Sequence, residues 1–285
     1  MTLPGQTLAA LSDNEAIGGP PVVFIHGITA SIQLWLPSMP AEIRDGRHWI
    51  SLSLPGHFPA TLERSTIDAW DDVTPQKWAG WYQAALQQLI GDEAVDIVGW
   101  STGGYTGLTL AAHYPERVRS LMSISGFAIG KWAGTIGLFQ RMCLSSLTCW
   151  LVRRGFGHVG NHRALFDALM LSGVADRQAF RAASTYEPTM AKWFEDFGRH
   201  DPTIIAELFR KISRVDLTEA LGRIRCPTLI AGGDSDPYIP QMHPHWIAEK
   251  VSAELVQWRG AGHMFFAERL EEYQELLVRW LKQQQ

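Results

Sequence analysis

The stretch that decides the fold reads Val95-Asp96-Ile97-Val98-Gly99-Trp100-Ser101-Thr102-Gly103-Gly104. Its first four residues are typical of a β-strand, and residues 102–113, rich in small side chains, are typical of an α-helix. The chain must therefore turn from strand to helix around Ser101. The Gly-x-Ser-x-Gly spacing suits this turn, because side chains at Gly99 and Gly103 would collide with neighbouring backbone. Such a turn strains the serine backbone and lifts its hydroxyl above the sheet edge.

Strand and helix patterns alternate on both sides of this turn. Further strands are predicted at residues 22–25, 49–54, 118–124, 227–231 and 253–258, with a short N-terminal strand at 6–11. Further helices are predicted at residues 74–90, 241–250 and 267–281. This alternation indicates an α/β protein with a mostly parallel, doubly wound sheet and helices on both faces.

Residues 128–213 interrupt the alternation. They contain no clear strand pattern, but they carry many aromatic residues at helical spacing. Because a structureless segment of this length is implausible in a compact domain, we interpret them as an inserted helical cap. The core domain then comprises residues 1–127 and 214–285. The cap aromatics either form the core of the cap or line a pocket, and a pocket of that kind would favour an acyl chain or ring.

The bulk composition narrows the function classes. The formal net charge is -4 and neither end of the chain carries a basic run, so nucleic acid is not expected as a partner. No signal sequence or membrane-length apolar stretch is visible, so we expect a cytoplasmic protein without integral membrane association. Cys143, Cys149 and Cys226 are interpreted as buried free thiols, with a Cys143–Cys149 disulfide as the alternative.

Ser101 is the predicted nucleophile. The N-terminus of the following helix would lie beneath its hydroxyl, where the helix dipole and free N–H groups favour developing negative charge. The alternative is a glycine-rich strand-to-helix turn with a bystander serine.

With this motif the sequence resembles the α/β-hydrolase superfamily, from about residue 20 to residue 280 outside the insertion. The resemblance implies the α/β-hydrolase fold and an esterase-like serine hydrolase. Trp100 also makes the turn similar to the Gly-Trp-Ser elbow of pimeloyl-acyl-carrier-protein methyl ester esterases. We include Trp100 and His26 as candidate substrate-binding residues.

The resemblance implies a base and an acid from later loops. His263 lies in Gly260-Ala261-Gly262-His263-Met264, similar to the loop that carries the family's catalytic histidine. Asp236, four residues before Pro240, matches the family's acid, and Asp234 is the alternative. An ionised aspartate would hold the imidazole in the productive tautomer.

The segment His26-Gly27-Ile28-Thr29 resembles the family's His-Gly segment. The resemblance implies an oxyanion hole formed by the backbone N–H groups of Ile28 and Thr102. It also implies that His26 braces the loop by hydrogen bonds, as the main alternative to a substrate contact. Leu54-Pro55-Gly56-His57 resembles a family turn in which aspartate is usual at the position of Ser53, and His57 is interpreted as a turn residue.

Cofactors and metals are not expected. His243 and His245 flank a proline, but no further ligand lies at metal-binding spacing, and no phosphate-binding loop is present. We therefore predict hydrolysis of a small to medium, largely apolar carboxylic ester through an acyl-enzyme. Thioester, lactone or carbon–carbon bond hydrolysis, cofactor-free perhydrolysis and acyl transfer remain alternatives on the same fold. A non-enzymatic binder is disfavoured because all three triad positions are filled, and the oligomeric state is left open.

Overall fold

The computed structural model describes residues 1–68 and 73–284. The described strands are β1 (Thr2–Leu3), β2 (Gln6–Thr7), β3 (Ala10–Asp13), β4 (Val22–Ile25), β5 (Trp49–Leu52), β6 (Val95–Trp100), β7 (Val118–Ile124), β8 (Thr228–Gly233) and β9 (Glu254–Trp258). β1 and β2 form an antiparallel pair, and the other strands form one sheet in the order β3-β5-β4-β6-β7-β8-β9. Only the edge strand β3 runs antiparallel to its neighbour within that sheet.

Helices connect these strands. They are α1 (Ala41–Arg44), α2 (Arg64–Asp68), α3 (Pro75–Ile90), α4 (Thr102–His113), α5 (Gly134–Met142), α6 (Ser146–Val159), α7 (Arg163–Met170), α8 (Arg177–Ala182), α9 (Tyr186–Phe197), α10 (Pro202–Ile212), α11 (Met242–Val251), α12 (Phe265–Glu268) and α13 (Leu270–Gln283). Within the described ranges, no helix is both long and apolar enough to cross a bilayer.

The mostly parallel α/β sheet confirms the predicted fold class. β4, β7 and α4 have the predicted bounds. At α3 the Thr74 hydroxyl accepts a hydrogen bond from the Lys77 N–H (3.2 Å), and Pro75 occupies the first turn, so the helix begins where its capping residues predict.

Two predicted strands and one predicted helix differ from the structure. The single helix predicted at 267–281 is wrong, because α12 ends at Glu268 and α13 begins at Leu270, with a non-helical backbone at Arg269 (φ -131°, ψ 57°) between them. The single strand predicted at 6–11 is wrong, because residues 6–7 pair with β1 while β3 pairs with β5. The strand predicted at 49–54 ends at Leu52, opposite the last residue of β4. Beyond that point the Leu54 N–H donates to the Nε2 atom of His26 (3.2 Å) instead of continuing the sheet.

Six helices, α5–α10, lie between β7 and β8, and residues 125–227 contribute no strand to the sheet. The two ends of this helical insertion are joined. The Leu217 N–H donates to the Ala128 carbonyl (2.9 Å), and the Gly130 N–H donates to the Val215 carbonyl (3.0 Å). The segment therefore leaves and rejoins the rest of the chain at one place.

The turn between β6 and α4 is packed without space for side chains at two glycines. A Cβ atom at Gly99 would lie 2.2 Å from the Gly103 carbonyl oxygen, and one at Gly103 would lie 2.0 Å from the Ile25 carbonyl oxygen. Both neighbours are backbone atoms, which cannot rotate away. The structure thus has the close packing that the glycine spacing predicts, because a side chain at either position would collide with backbone. As a result, α4 starts in direct contact with the end of β4.

We expect Gly103→Ala to lower the free energy of unfolding by about 1–3 kcal/mol, because the helix must shift away from β4. Urea unfolding followed by circular dichroism measures this loss. Gly155→Ala is the matched control, since the position lies inside α6 with no atom within 4 Å of the added carbon. There the same substitution should stabilise the protein by about 0.5–1 kcal/mol. Equal stability of Gly103→Ala and the parent would contradict this account of the turn.

Candidate active site

Ser101 lies on the strained turn between β6 and α4. Its backbone angles are φ 55° and ψ -115°, a left-handed conformation that L-residues rarely adopt. Its N–H donates to the Ile124 carbonyl at the end of β7 (2.8 Å), and its carbonyl accepts from the Tyr105 N–H of α4 (3.0 Å). The side chain makes no hydrogen bond within residues 1–68 and 73–284 and lines a pocket. The backbone therefore fixes the serine while its hydroxyl stays available.

His263 lines the same pocket. Its N–H donates to the Gly173 carbonyl (2.8 Å), and its carbonyl accepts from the indole N–H of Trp100 (2.9 Å). The imidazole contacts the Trp100 ring at 5.3 Å and the Tyr238 ring at 5.1 Å between centroids. These contacts place the imidazole and the Ser101 hydroxyl on one cavity, although their residues are remote in the chain.

The structure places Asp236 against His263. The Nδ1 atom of His263 lies 2.7 Å from Oδ2 of Asp236, while Oδ1 accepts from the N–H groups of Tyr238 (2.8 Å) and Ile239 (3.1 Å). This partner fixes the proton on Nδ1 and leaves Nε2 without a hydrogen bond in the described chain. Asp234, the alternative, is exposed and accepts from the Gly260 N–H (2.7 Å) instead.

The pocket is mostly apolar. The side chains that line it come from the sheet loops and from the helical insertion: Ile28, Thr29, Trp100, Ser101, Trp132, Ile136, Leu169, Met170, Trp193, Tyr238, Ile239, His263 and Met264. The described lining contains no Asp, Glu, Lys or Arg. All of the following insertion aromatics are buried, but only Trp132 and Trp193 line this pocket; the others are Phe156, Phe166, Phe180, Phe197 and Phe209.

The two backbone N–H groups predicted for an oxyanion flank Ser101. Ile28 lines the pocket, and its N–H has no acceptor in the described chain. A Cβ atom at the preceding Gly27 would lie 3.1 Å from the Cβ atom of Ser101, so this loop lies directly against the serine. Thr102 is the first residue of α4, where N–H groups have no partner within the helix, but its buried side chain is not part of the pocket wall.

Thr29 is the second strained residue of the site, with φ 69°. Its N–H donates to Nε2 of His57 (2.9 Å), and its carbonyl accepts from the Trp193 indole N–H (2.8 Å) and from Nε2 of His200 (3.3 Å). Trp193 lies on α9 and His200 lies between α9 and α10, so both belong to the helical insertion. The loop that carries Ile28 is therefore held by hydrogen bonds both from the core, through His57, and from the helical insertion, through Trp193 and His200.

Three buried histidines brace this loop. The Nδ1 atoms of His26 and His57 donate to the Gly27 (2.8 Å) and Pro55 (3.0 Å) carbonyls, and Nδ1 of His200 accepts from the Phe58 N–H (3.1 Å). Burial lowers the pKa of His26 to about 3 and that of His200 to about 4, and it holds the pKa of His57 well below 6.5. All three are therefore neutral at pH 7.

The structure thus separates the two candidate substrate contacts. Trp100 lines the pocket, and His26 does not, because both of its ring nitrogens bond to backbone. This arrangement agrees with the bracing alternative for His26. No group of three or more His, Cys, Asp or Glu side chains in the described ranges has the arrangement of a metal site.

Sequence reasoning missed several supporting residues, among them Trp193 and Glu268. The Glu268 carboxylate accepts from the N–H groups of Gly262 (3.0 Å), Ala175 (3.2 Å) and Asp176 (2.9 Å), and burial raises its pKa. It ties the loop of His263 to the helical insertion. No local pattern signals such a role, since its contacts depend on segments that are adjacent only after folding.

Comparison with known proteins places the chain in a family. A family model described as the alpha/beta hydrolase fold matches residues 20–270. The pimeloyl-[acyl-carrier protein] methyl ester esterase of Aromatoleum aromaticum is 24% identical over 260 residues, which is 89% of this chain and 94% of that protein. The dihydrolipoyllysine-residue acetyltransferase component of the acetoin cleaving system of Pseudomonas putida is 25% identical over 93% of this chain, and the chain spans 64% of its length.

Among solved structures, the enol-lactonase of Burkholderia xenovorans LB400 has a TM-score of 0.75. The match covers 98% of this chain and 97% of that chain at 20% sequence identity. At this identity the likeness shows the fold.

The buried histidines predict acid sensitivity. Their folded pKa values lie below the unfolded value near 6.5, so unfolding takes up protons at acidic pH. The free energy of unfolding should be highest above about pH 6.5 and should fall toward pH 4, by roughly 1.4 kcal/mol per pH unit for each histidine. Urea titrations at several pH values measure this slope. His200→Gln should flatten it, and His245→Gln, at an exposed position, should not. A pH-independent stability would contradict the assignment of neutral histidines.

Proposed function

Because the chain belongs to the α/β-hydrolase fold family, we propose that it is a serine hydrolase that cleaves a carboxylic ester through an acyl-enzyme. One observation carries this proposal: the strained Ser101 and the His263–Asp236 pair open on a single apolar pocket. A pair formed by an imidazole and a carboxylate beside an unbonded hydroxyl is the arrangement of a nucleophile, its base and an orienting acid. The relative described as a methyl ester esterase supports an ester as the substrate class.

The proposed reaction assigns a role to each of these groups. Ser101 Oγ attacks the ester carbonyl while Nε2 of His263 takes its proton, and Asp236 holds the Nδ1–H and stabilises the charged imidazolium. The N–H groups of Ile28 and Thr102 stabilise the oxyanion. His263 then protonates the leaving alkoxide, and water attacks the acyl-enzyme in the same way. The Ser101–His263 hydrogen bond, which the resting structure does not contain, forms when substrate binds.

The pocket determines the proposed substrate. Its walls are apolar and carry no Asp, Glu, Lys or Arg side chain in the described lining, which favours a small to medium, largely apolar substrate. We assign residues 128–213 as the cap domain over this pocket, since Trp132, Ile136, Leu169 and Trp193 provide much of its wall. Aromatic side chains on this wall favour an acyl chain or ring. The cytoplasm remains the predicted compartment.

Substitutions at the site test the mechanism. Ser101→Ala should lower kcat for a p-nitrophenyl ester by roughly 10⁶-fold, and Asp236→Asn should lower it by about 10⁴-fold because the imidazole loses its productive tautomer. Asp234→Asn is the matched control, two residues away and exposed, and its activity should stay within about twofold of the parent. A fluorophosphonate probe should label the parent but not Ser101→Ala. Labelling or turnover that survives Ser101→Ala would remove the mechanism.

A substrate panel tests the reaction class. We expect the purified protein to hydrolyse apolar p-nitrophenyl esters faster than acyl thioesters and lactones, and esters with a charged acyl group slowest, because the described pocket wall offers no counter-charge. Initial rates under identical conditions give kcat/KM for each class. If the probe labels the protein but only thioesters or lactones are turned over, Ser101 is still the nucleophile but the ester assignment is wrong.

A further inference from the structure

Helix α6 carries an apolar face that nothing in the described chain covers. Leu147, Trp150 and Leu151 recur at positions i, i+3 and i+4, which places them on one side of the helix. They are 79%, 53% and 50% exposed. The opposite side of α6 is buried in the insertion through Cys149, Val152 and Phe156. The exposed face is therefore a second apolar surface, not the packing face of the helix.

Neighbouring side chains enlarge this face. Leu138 of α5 (48% exposed) and Leu144 (55%), between α5 and α6, add to it, and α5 packs on α6 through Phe139 and Phe156. We call Leu138, Leu144, Leu147, Trp150 and Leu151 the exposed apolar patch. It holds five of the seven large hydrophobic side chains that are exposed in the described residues. Such clustering indicates a binding surface, since isolated exposed hydrophobics need no explanation.

The charged side chains that α5 and α6 themselves carry are all basic. Residues 117–166 contain no Asp or Glu, although the whole chain has a net charge of -4. Arg141 and Arg154 are exposed on α5 and α6, and the Arg154 guanidinium lies 5.2 Å from the centre of the Trp150 ring. Arg153 is paired with Glu207 (3.0 Å), so it adds less to the positive charge beside the patch. The patch thus combines protruding leucines and a tryptophan with arginines that have no ion pair in the described chain.

We propose that the exposed apolar patch binds the surface of a lipid bilayer that contains anionic lipids. In this arrangement α6 lies along the interface, with Leu147, Trp150 and Leu151 among the acyl chains and Arg141 and Arg154 against lipid phosphates. Leucine side chains that project by 50% or more suit insertion into a deformable apolar phase. An acidic protein partner would use the arginines and leave these leucines without an apolar environment.

The patch also lies on the outer side of the pocket wall. Ile136 and Leu138 belong to the same short helix α5, and Ile136 lines the pocket while Leu138 is exposed in the patch. A bilayer bound at the patch would therefore be adjacent to the wall of the apolar pocket. The binding itself does not depend on the proposed esterase activity.

Flotation with vesicles tests the proposal. The parent protein should float with vesicles of equal parts phosphatidylcholine and phosphatidylglycerol and much less with phosphatidylcholine alone, and high salt should release it. Arg154→Gln should lower the partition coefficient about fivefold, the factor for roughly 1 kcal/mol per basic residue. The double substitution Leu147→Gln and Trp150→Gln should lower it at least about tenfold by removing the inserted side chains. Met242→Gln is the matched control, because Met242 is 73% exposed on α11, outside the patch.

Circular dichroism and fluorophosphonate labelling show whether the double variant is folded. If it is not, the flotation of Arg154→Gln alone still tests the proposal. Parent protein that stays at the bottom of the gradient with both vesicle types would overturn the proposal. Flotation that is unchanged in both variants would also overturn it. Vesicle-independent dimerisation that the double substitution abolishes, without flotation of the parent, would assign the patch to a second copy of the chain.

Discussion

The close approach of α4 to the ends of β4 and β6 is the constraint on which the site depends. At Gly103 there is space only for a hydrogen atom beside the Ile25 carbonyl, so the helix begins against the sheet. Ser101 must then adopt φ 55° to connect strand and helix. The cost of this conformation, of order 1–3 kcal/mol, is offset because β6 and nearly all of α4 are buried in the core.

Hydrogen bonds between loops that are remote in the chain hold the other residues of the candidate site around this fixed serine. The Trp100 indole holds the backbone of His263, and Glu268 holds the same loop through Gly262. Thr29 is held by two imidazoles and an indole. A neutral imidazole suits this purpose because it donates through one nitrogen and accepts through the other, and burial keeps it neutral.

The helical insertion takes part in this network as well as forming pocket walls. From α9, the Trp193 indole donates to Thr29, and the Asp196 carboxylate accepts from the Ser31 hydroxyl (2.5 Å). A displacement of α9 would therefore disturb the loop that carries Ile28. The position of the insertion and the geometry around the serine are coupled through direct contacts, since the same helix borders the pocket and bonds to the loop.

The sequence by itself determined the fold class and the strand-to-helix turn, because hydrophobic periodicity and glycine spacing are local signals that the backbone obeys directly. Family resemblance added His263 and favoured Asp236 over Asp234, but only the tertiary structure put the carboxylate 2.7 Å from the imidazole. Trp193, His200 and Glu268 gave no local signal, since each acts on a loop far away in the chain. Which aromatics face the pocket was decided by the packing of whole helices against one another, which no single segment encodes.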